Sequence, residues 1–66
     1  MIITVNGEKR KFESPLLVSE LLEVLNLKSQ LVLVERNMEI VPREEISMTQ
    51  IVDGDTIEIL RLVGGG

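Results

Sequence analysis

A single stretch of this 66-residue chain repeats with the period of a helix. Val18, Leu21, Leu22 and Leu25 fall at i, i+3, i+4 and i+7, which places them on one helical face. Glu20 and Glu23 lie off that face and near its N-terminal half, where they complement the helix dipole. The helix starts either at Pro15, with Ser14 as its cap, or at Val18, with Leu17 in the cap position and no capping oxygen. Asn26 marks its stop. One helix has one apolar stripe, and the remaining segments must supply the layer that covers it.

Those segments read as strands. Ile2-Ile3-Thr4-Val5 is a β-branched run, and Asn6-Gly7 after it suits a type I′ turn, in which both central residues need positive φ. Lys9 to Glu13 returns as the second strand of a hairpin and ends at Ser14-Pro15, because proline cannot donate to a ladder. Lys9-Arg10-Lys11 gives that strand a solvated edge that discourages aggregation. Leu31 to Arg36 opens with an unbroken apolar run and is expected as a central strand covered on at least one face. Asn37 turns the chain, Glu39-Ile40-Val41 forms a short strand, and Pro42 ends it. Residues 43–52 have weak periodicity, with Ile46, Met48 and Ile51 as expected anchors. Asp53-Gly54-Asp55 is a turn, and Thr56 to Val63 is the last strand. This order predicts a two-layer α+β domain over residues 1–63, with a flexible glycine tail at 64–66. Its expected core is Ile3, Val5, Phe12, Val18, Leu21, Leu22, Leu25, Leu33, Ile40, Ile51, Ile57 and Ile59.

Several chemistries are excluded by what the chain lacks. It has no cysteine and no histidine, which removes disulfides, thiolate metal sites and the commonest general base. A net charge of −4 and one aromatic residue, Phe12, argue against nucleic acid, which calls for a basic face and stacking platforms. No apolar run nears the roughly 20 residues that span a bilayer, and no basic region or signal-peptide core opens the chain. The expectation is a cytoplasmic monomer with no bound cofactor or metal and no membrane or nucleic-acid partner. Asp53 and Asp55 pair two acids on a turn, but without a cleft or a partner base they make a weak case for an enzyme.

Two features go unexplained by the core. If Ile57 and Ile59 face the helix, period two turns Glu58, Leu60 and Leu62 to the other face, which no second helix covers. These leucines read either as scattered surface residues or as part of a partner-docking surface. The chain then closes on Gly64-Gly65-Gly66, which reads either as a frayed end or as a reactive one. A tail without Cβ atoms can thread a narrow channel and present the Gly66 carboxylate to another protein's active site.

Val41-Pro42-Arg43-Glu44, Ile51-Val52-Asp53-Gly54-Asp55-Thr56-Ile57 and Val63-Gly64-Gly65-Gly66 stand in one order with the Asn6-Gly7 hairpin and the helix start Val18-Ser19-Glu20-Leu21-Leu22. Together they resemble the ThiS family of thiamin-biosynthesis sulfur carriers over essentially the whole chain. The resemblance implies the β-grasp (ubiquitin-like) fold, a mixed sheet of four to five strands packed on one main helix. It implies that a ThiF-like adenylyltransferase uses ATP to activate the Gly66 carboxylate as an acyl-adenylate. Sulfur from a persulfide donor then replaces AMP to give a thiocarboxylate, and thiazole synthase takes that sulfur for the thiazole of thiamin. The chain is on this view a co-substrate rather than a catalyst. Gly65 and Gly66 match the family's terminal pair, and Gly64 is compatible with the small residue found there. Leu60 and Leu62 match its apolar positions on the open sheet face, with Glu58 beside them. Arg43 either begins a polar turn after Pro42 or makes a salt bridge or partner contact.

A molybdopterin-type carrier shares the fold and the glycine end but is usually longer and richer in aromatic residues near the tail. Carriers for other metabolites or for transfer-RNA thiolation stay open. In another class stands a β-grasp binding or regulatory module without tail chemistry; the three glycines and the acidic charge argue against its RNA-binding form.

Overall fold

The computed structural model describes residues 1–62. Val63 and the tail Gly64-Gly65-Gly66 lie outside the described residues, and with them the expectation of a free tail. The strands are β1 (Ile2–Val5), β2 (Glu8–Lys11), β3 (Leu16–Leu17), β4 (Val32–Arg36), β5 (Glu39–Ile40), β6 (Gln50–Ile51) and β7 (Thr56–Arg61). The helix α1 covers Val18–Val24, and short 3-10 turns occupy Ser29–Leu31 and Arg43–Glu45. Five strands form a mixed sheet in the order β2-β1-β7-β4-β5. β1 runs parallel to β7, and the other neighbours are antiparallel. The apolar stripe of α1 packs on one face of this sheet, which is the β-grasp arrangement. A second pairing, β3 with β6, was not legible in advance, because two-residue strands carry no period.

The local signals act as their chemistry requires. Asn6 (φ 49°) and Gly7 (φ 84°) both take left-handed backbone and close the β1–β2 hairpin at Val5 opposite Glu8. Of the two helix starts, the structure adopts Val18. Leu17 offers no oxygen, and Glu20 Oε1 instead reaches back to accept the Leu17 N–H (2.7 Å), satisfying one orphan donor. Asn26 ends the helix at φ 59°, with the Asn26 N–H on the Glu23 carbonyl (3.0 Å) and the Leu27 N–H on the Leu22 carbonyl (2.8 Å). Asn37 and Met38 form the β4–β5 turn at φ 52° and 72°, a conformation that a bulky side chain such as methionine rarely takes.

The core differs from expectation at the edge of the sheet. Leu33 and Ile40 do not belong to it, and Met48 is exposed; Val32, Val34, Val41 and Ile46 are the buried residues there. Phe12 and Leu25 pack against the core while only partly buried. The reason is parity. The run from Leu31 to Val34 fits both alternations, and a one-residue slip exchanges its faces. Pairing of Val34 with Ile59 decides it, turning Val32 and Val34 inward and Leu33 outward.

A polar latch ties the β4–β5 turn to the start of β7. Buried Asp55 accepts hydrogen bonds from Arg36 Nε (2.7 Å) and the Val52 N–H (2.9 Å) on one oxygen, and from the Asn37 amide (3.0 Å) on the other. Asn37 Oδ1 accepts the Thr56 N–H in turn (2.9 Å). Burial by itself raises the Asp55 carboxyl. The Val52 N–H, the Arg36 guanidinium and the Asn37 amide outweigh it and hold the group below its ordinary value of 3.8. A depressed value in the folded state gives stability that is complete above the ordinary value and lost as pH falls through the folded one. Asp55→Asn is therefore expected to cost about 1.5–3 kcal/mol at neutral pH. The gap to the parent protein should be constant above about pH 5 and narrow below about pH 4. Urea titrations at stepped pH check this, and a gap that widens on acidification contradicts it.

Candidate functional site

The sheet face turned away from α1 is left open by the described residues. Directly opposed residues share a face, so the strand register gives its composition. Leu33 stands opposite Leu60, and Glu35 opposite Glu58, with Ile40 beyond Glu35 on β5. Past the end of β7 the Leu62 N–H donates to the Leu31 carbonyl (3.0 Å), which sets Leu31 beside Leu62. Leu60 and Leu62 are each 52% exposed and Leu31 is 47% exposed. These leucines make an apolar patch directly before the final residues of the chain.

β7 is held in this position from both sides. β4 pairs along it from Ile57 to Arg61. On the other side β1 stops at Val5, and the Asn6 side chain takes over: its Oδ1 accepts the Ile59 N–H (2.7 Å) and its Nδ2 donates to the Ile59 carbonyl (3.3 Å). The turn residue that closes the first hairpin thus also fastens the strand that leads to the tail.

Of the residues expected from sequence, Glu58, Leu60 and Leu62 come together on this face. Arg43 does not join them. It starts the 3-10 turn after β5 and lines a cleft of about 390 Å³ with Ser19, Glu23, Leu27 and Ser47, beside the helix. Leu31, Leu33, Glu35 and Ile40 also belong to the open face; sequence pattern alone places Leu33 and Ile40 in the core and gives Leu31 and Glu35 no site role. Asp53 and Asp55 are both committed to structure, since Asp53 Oδ1 accepts the Ile2 N–H (2.7 Å) and Asp55 forms the latch. Among the described residues no group of three or more potential ligands is placed to hold a metal ion, and no helix is long and apolar enough to cross a membrane.

A family model described as the ThiS family matches residues 3–66, from β1 through the open-face strand and the three glycines. The chain belongs to the ThiS family. Among its ThiS relatives, the sulfur carrier protein ThiS of Bacillus subtilis is 35% identical over 66 residues, a match covering 98% of this chain and 100% of that protein. The thiazole synthase of Paramagnetospirillum magneticum is 42% identical over 66 residues; the match takes in 100% of this chain, which spans 20% of that protein. The crystal structure of the thiamine biosynthesis protein ThiS from Geobacter metallireducens is similar at a TM-score of 0.86 and 39% identity, with 100% of both chains covered. At that likeness the ThiS fold extends to the whole mixed sheet and its helix.

Proposed function

We propose that the chain is a sulfur carrier of thiamin biosynthesis, and that it works through the Gly66 carboxylate. The observation that carries this reading is a family match that runs through the final glycine. Likeness to a protein named as a sulfur carrier, and to a segment of a thiazole synthase, supports it. Residues 1–63 serve as the handle that partners grip, and Gly64-Gly65-Gly66 as the arm that enters their active sites. A carboxylate is a poor acyl electrophile. Its oxygen attacks the α-phosphorus of ATP on a ThiF-like adenylyltransferase, pyrophosphate leaves, and the acyl-adenylate carries AMP as a good leaving group. The terminal sulfur of a persulfide donor attacks the acyl carbon and expels AMP, giving an acyl disulfide. A second thiol then attacks the donor's sulfur, supplying the two electrons that break the S–S bond. The donor ends as a disulfide and the carrier as a thiocarboxylate, a transferable nucleophilic sulfur. Thiazole synthase accepts it and returns the carrier for another round, so the chain is a co-substrate and needs no cofactor of its own. The cycle belongs in the cytoplasm, with the partners that drive it. Leu60 and Leu62, with Glu58 beside them, form the docking face; Arg43, on the helix side, is assigned to its turn.

The acceptor separates this pathway from molybdopterin synthesis and from transfer-RNA thiolation. Carrier loaded with ³⁵S by the adenylyltransferase is offered to thiazole synthase and its small substrates. The expected result is label in the thiazole product. Label that stays on the carrier with thiazole synthase, yet moves to a molybdopterin synthase, contradicts the thiamin assignment and leaves the carrier chemistry standing.

A further inference from the structure

The open face contains one arrangement that folding alone disfavours. Glu35 on β4 is the direct cross-strand partner of Glu58 on β7. Opposed Cα atoms in such a ladder lie about 4.5–5.5 Å apart, and like charges placed directly opposite destabilise a sheet. Both side chains are half-buried, flanked by Leu33 and Leu60. Neither takes part in an ion pair or side-chain hydrogen bond among the described residues; the ion pair recorded there joins Arg36 to Asp55 on the other face. Lys9 and Lys11 share the open face but sit on β2, with β1 between them and β7.

This inference rests on the reading of that face as a docking surface. We propose that Glu35 and Glu58 together form a receptor for one arginine of the adenylating partner, set among apolar side chains that cover Leu33, Leu60 and Leu62. Two adjacent carboxylates call for a cation. The planar guanidinium fork can donate to both at once and, being weakly hydrated, can lie against leucine side chains, which a compact, strongly hydrated ammonium does less well. A second copy of this chain centred on the same leucines brings four carboxylates together, so the face suits a different protein. Relief of repulsion on docking makes the pair a selectivity element: a partner with an apolar patch but no cation leaves it uncompensated.

Calorimetric titration of the full chain against the adenylyltransferase tests this, using Glu35→Gln, Glu58→Gln and Leu60→Glu. Each glutamine variant is expected to bind about tenfold more weakly, with a flatter dependence of Kd on ionic strength between about 50 and 300 mM. Each should also melt about 1–5 °C higher than the parent when free, because the repulsion is gone. A residue kept for folding moves the melt the other way. If Leu60→Glu abolishes binding while both glutamine variants bind like the parent at every salt concentration, the arginine receptor is overturned and the docking face stands. If Leu60→Glu binds like the parent, the docking face fails and the receptor with it. A dimer of the chain by light scattering that Leu60→Glu dissociates overturns the proposal in favour of self-association.

Discussion

Removal of Gly65 and Gly66 is expected to abolish sulfur loading while leaving thermal unfolding of the domain within about 1 °C of the parent. Every core residue lies between Ile3 and Ile59, so the deletion takes no apolar contact from the described core. It does leave a terminal carboxylate, on Gly64. The loss of activity therefore comes from reach and not from chemistry. Two extended residues span at most about 7 Å, and attack on phosphorus needs the carboxylate oxygen within about 3–3.5 Å of it. A carboxylate withdrawn by that distance cannot meet the α-phosphorus of ATP bound in a partner. Intact-mass analysis after incubation with ATP, adenylyltransferase and sulfur donor reads the loss, and a melting curve reads the fold. Loading at the parent rate contradicts the account of the tail, and a collapsed melt contradicts its independence from the domain.

Ile57→Ala is expected to have the largest effect on stability. Ile57 is fully buried at the middle of the sheet, opposite Val5 on one side and Arg36 on the other. Truncation removes buried methyl groups and leaves a cavity that two flanking strands prevent from closing, at a cost of about 2–5 kcal/mol. A chain of this length has roughly 3–10 kcal/mol in total, so the variant should be largely unfolded or lose about half its urea midpoint. Ile40→Ala provides the contrast. Ile40 is 58% exposed, and its truncation should change stability by no more than about 0.5 kcal/mol. Equal losses at the two positions contradict the assignment of faces.

That contrast also marks where the sequence was readable. Asn6-Gly7, the i, i+3, i+4, i+7 pattern from Val18 and the stop at Asn26 each encode a local geometry, and each took the expected form. The outward turn of Leu60 and Leu62 followed from placing Ile57 and Ile59 inward, because alternation is strict once one residue is fixed. Leu31 to Val34 had no polar residue to fix its parity, and its register came from β7, a partner distant in the chain. The same blindness hid half of the open face: Glu35 meets Glu58 by pairing across strands, and no spacing along the chain announces it. Asp55 looked like one acid of a turn, because the donors that define it, Arg36 and Asn37, come from another hairpin.

The central claim is that the chemistry of this chain resides in one acyl group at Gly66. Intact mass spectrometry after incubation with ATP, the ThiF-like adenylyltransferase and a sulfur donor tests it most directly, followed by fragmentation to locate any change. The account predicts a gain of about 16 Da, oxygen exchanged for sulfur, confined to fragments that contain Gly66. An unchanged mass with active partners, or a gain carried by fragments from residues 1–62, contradicts it.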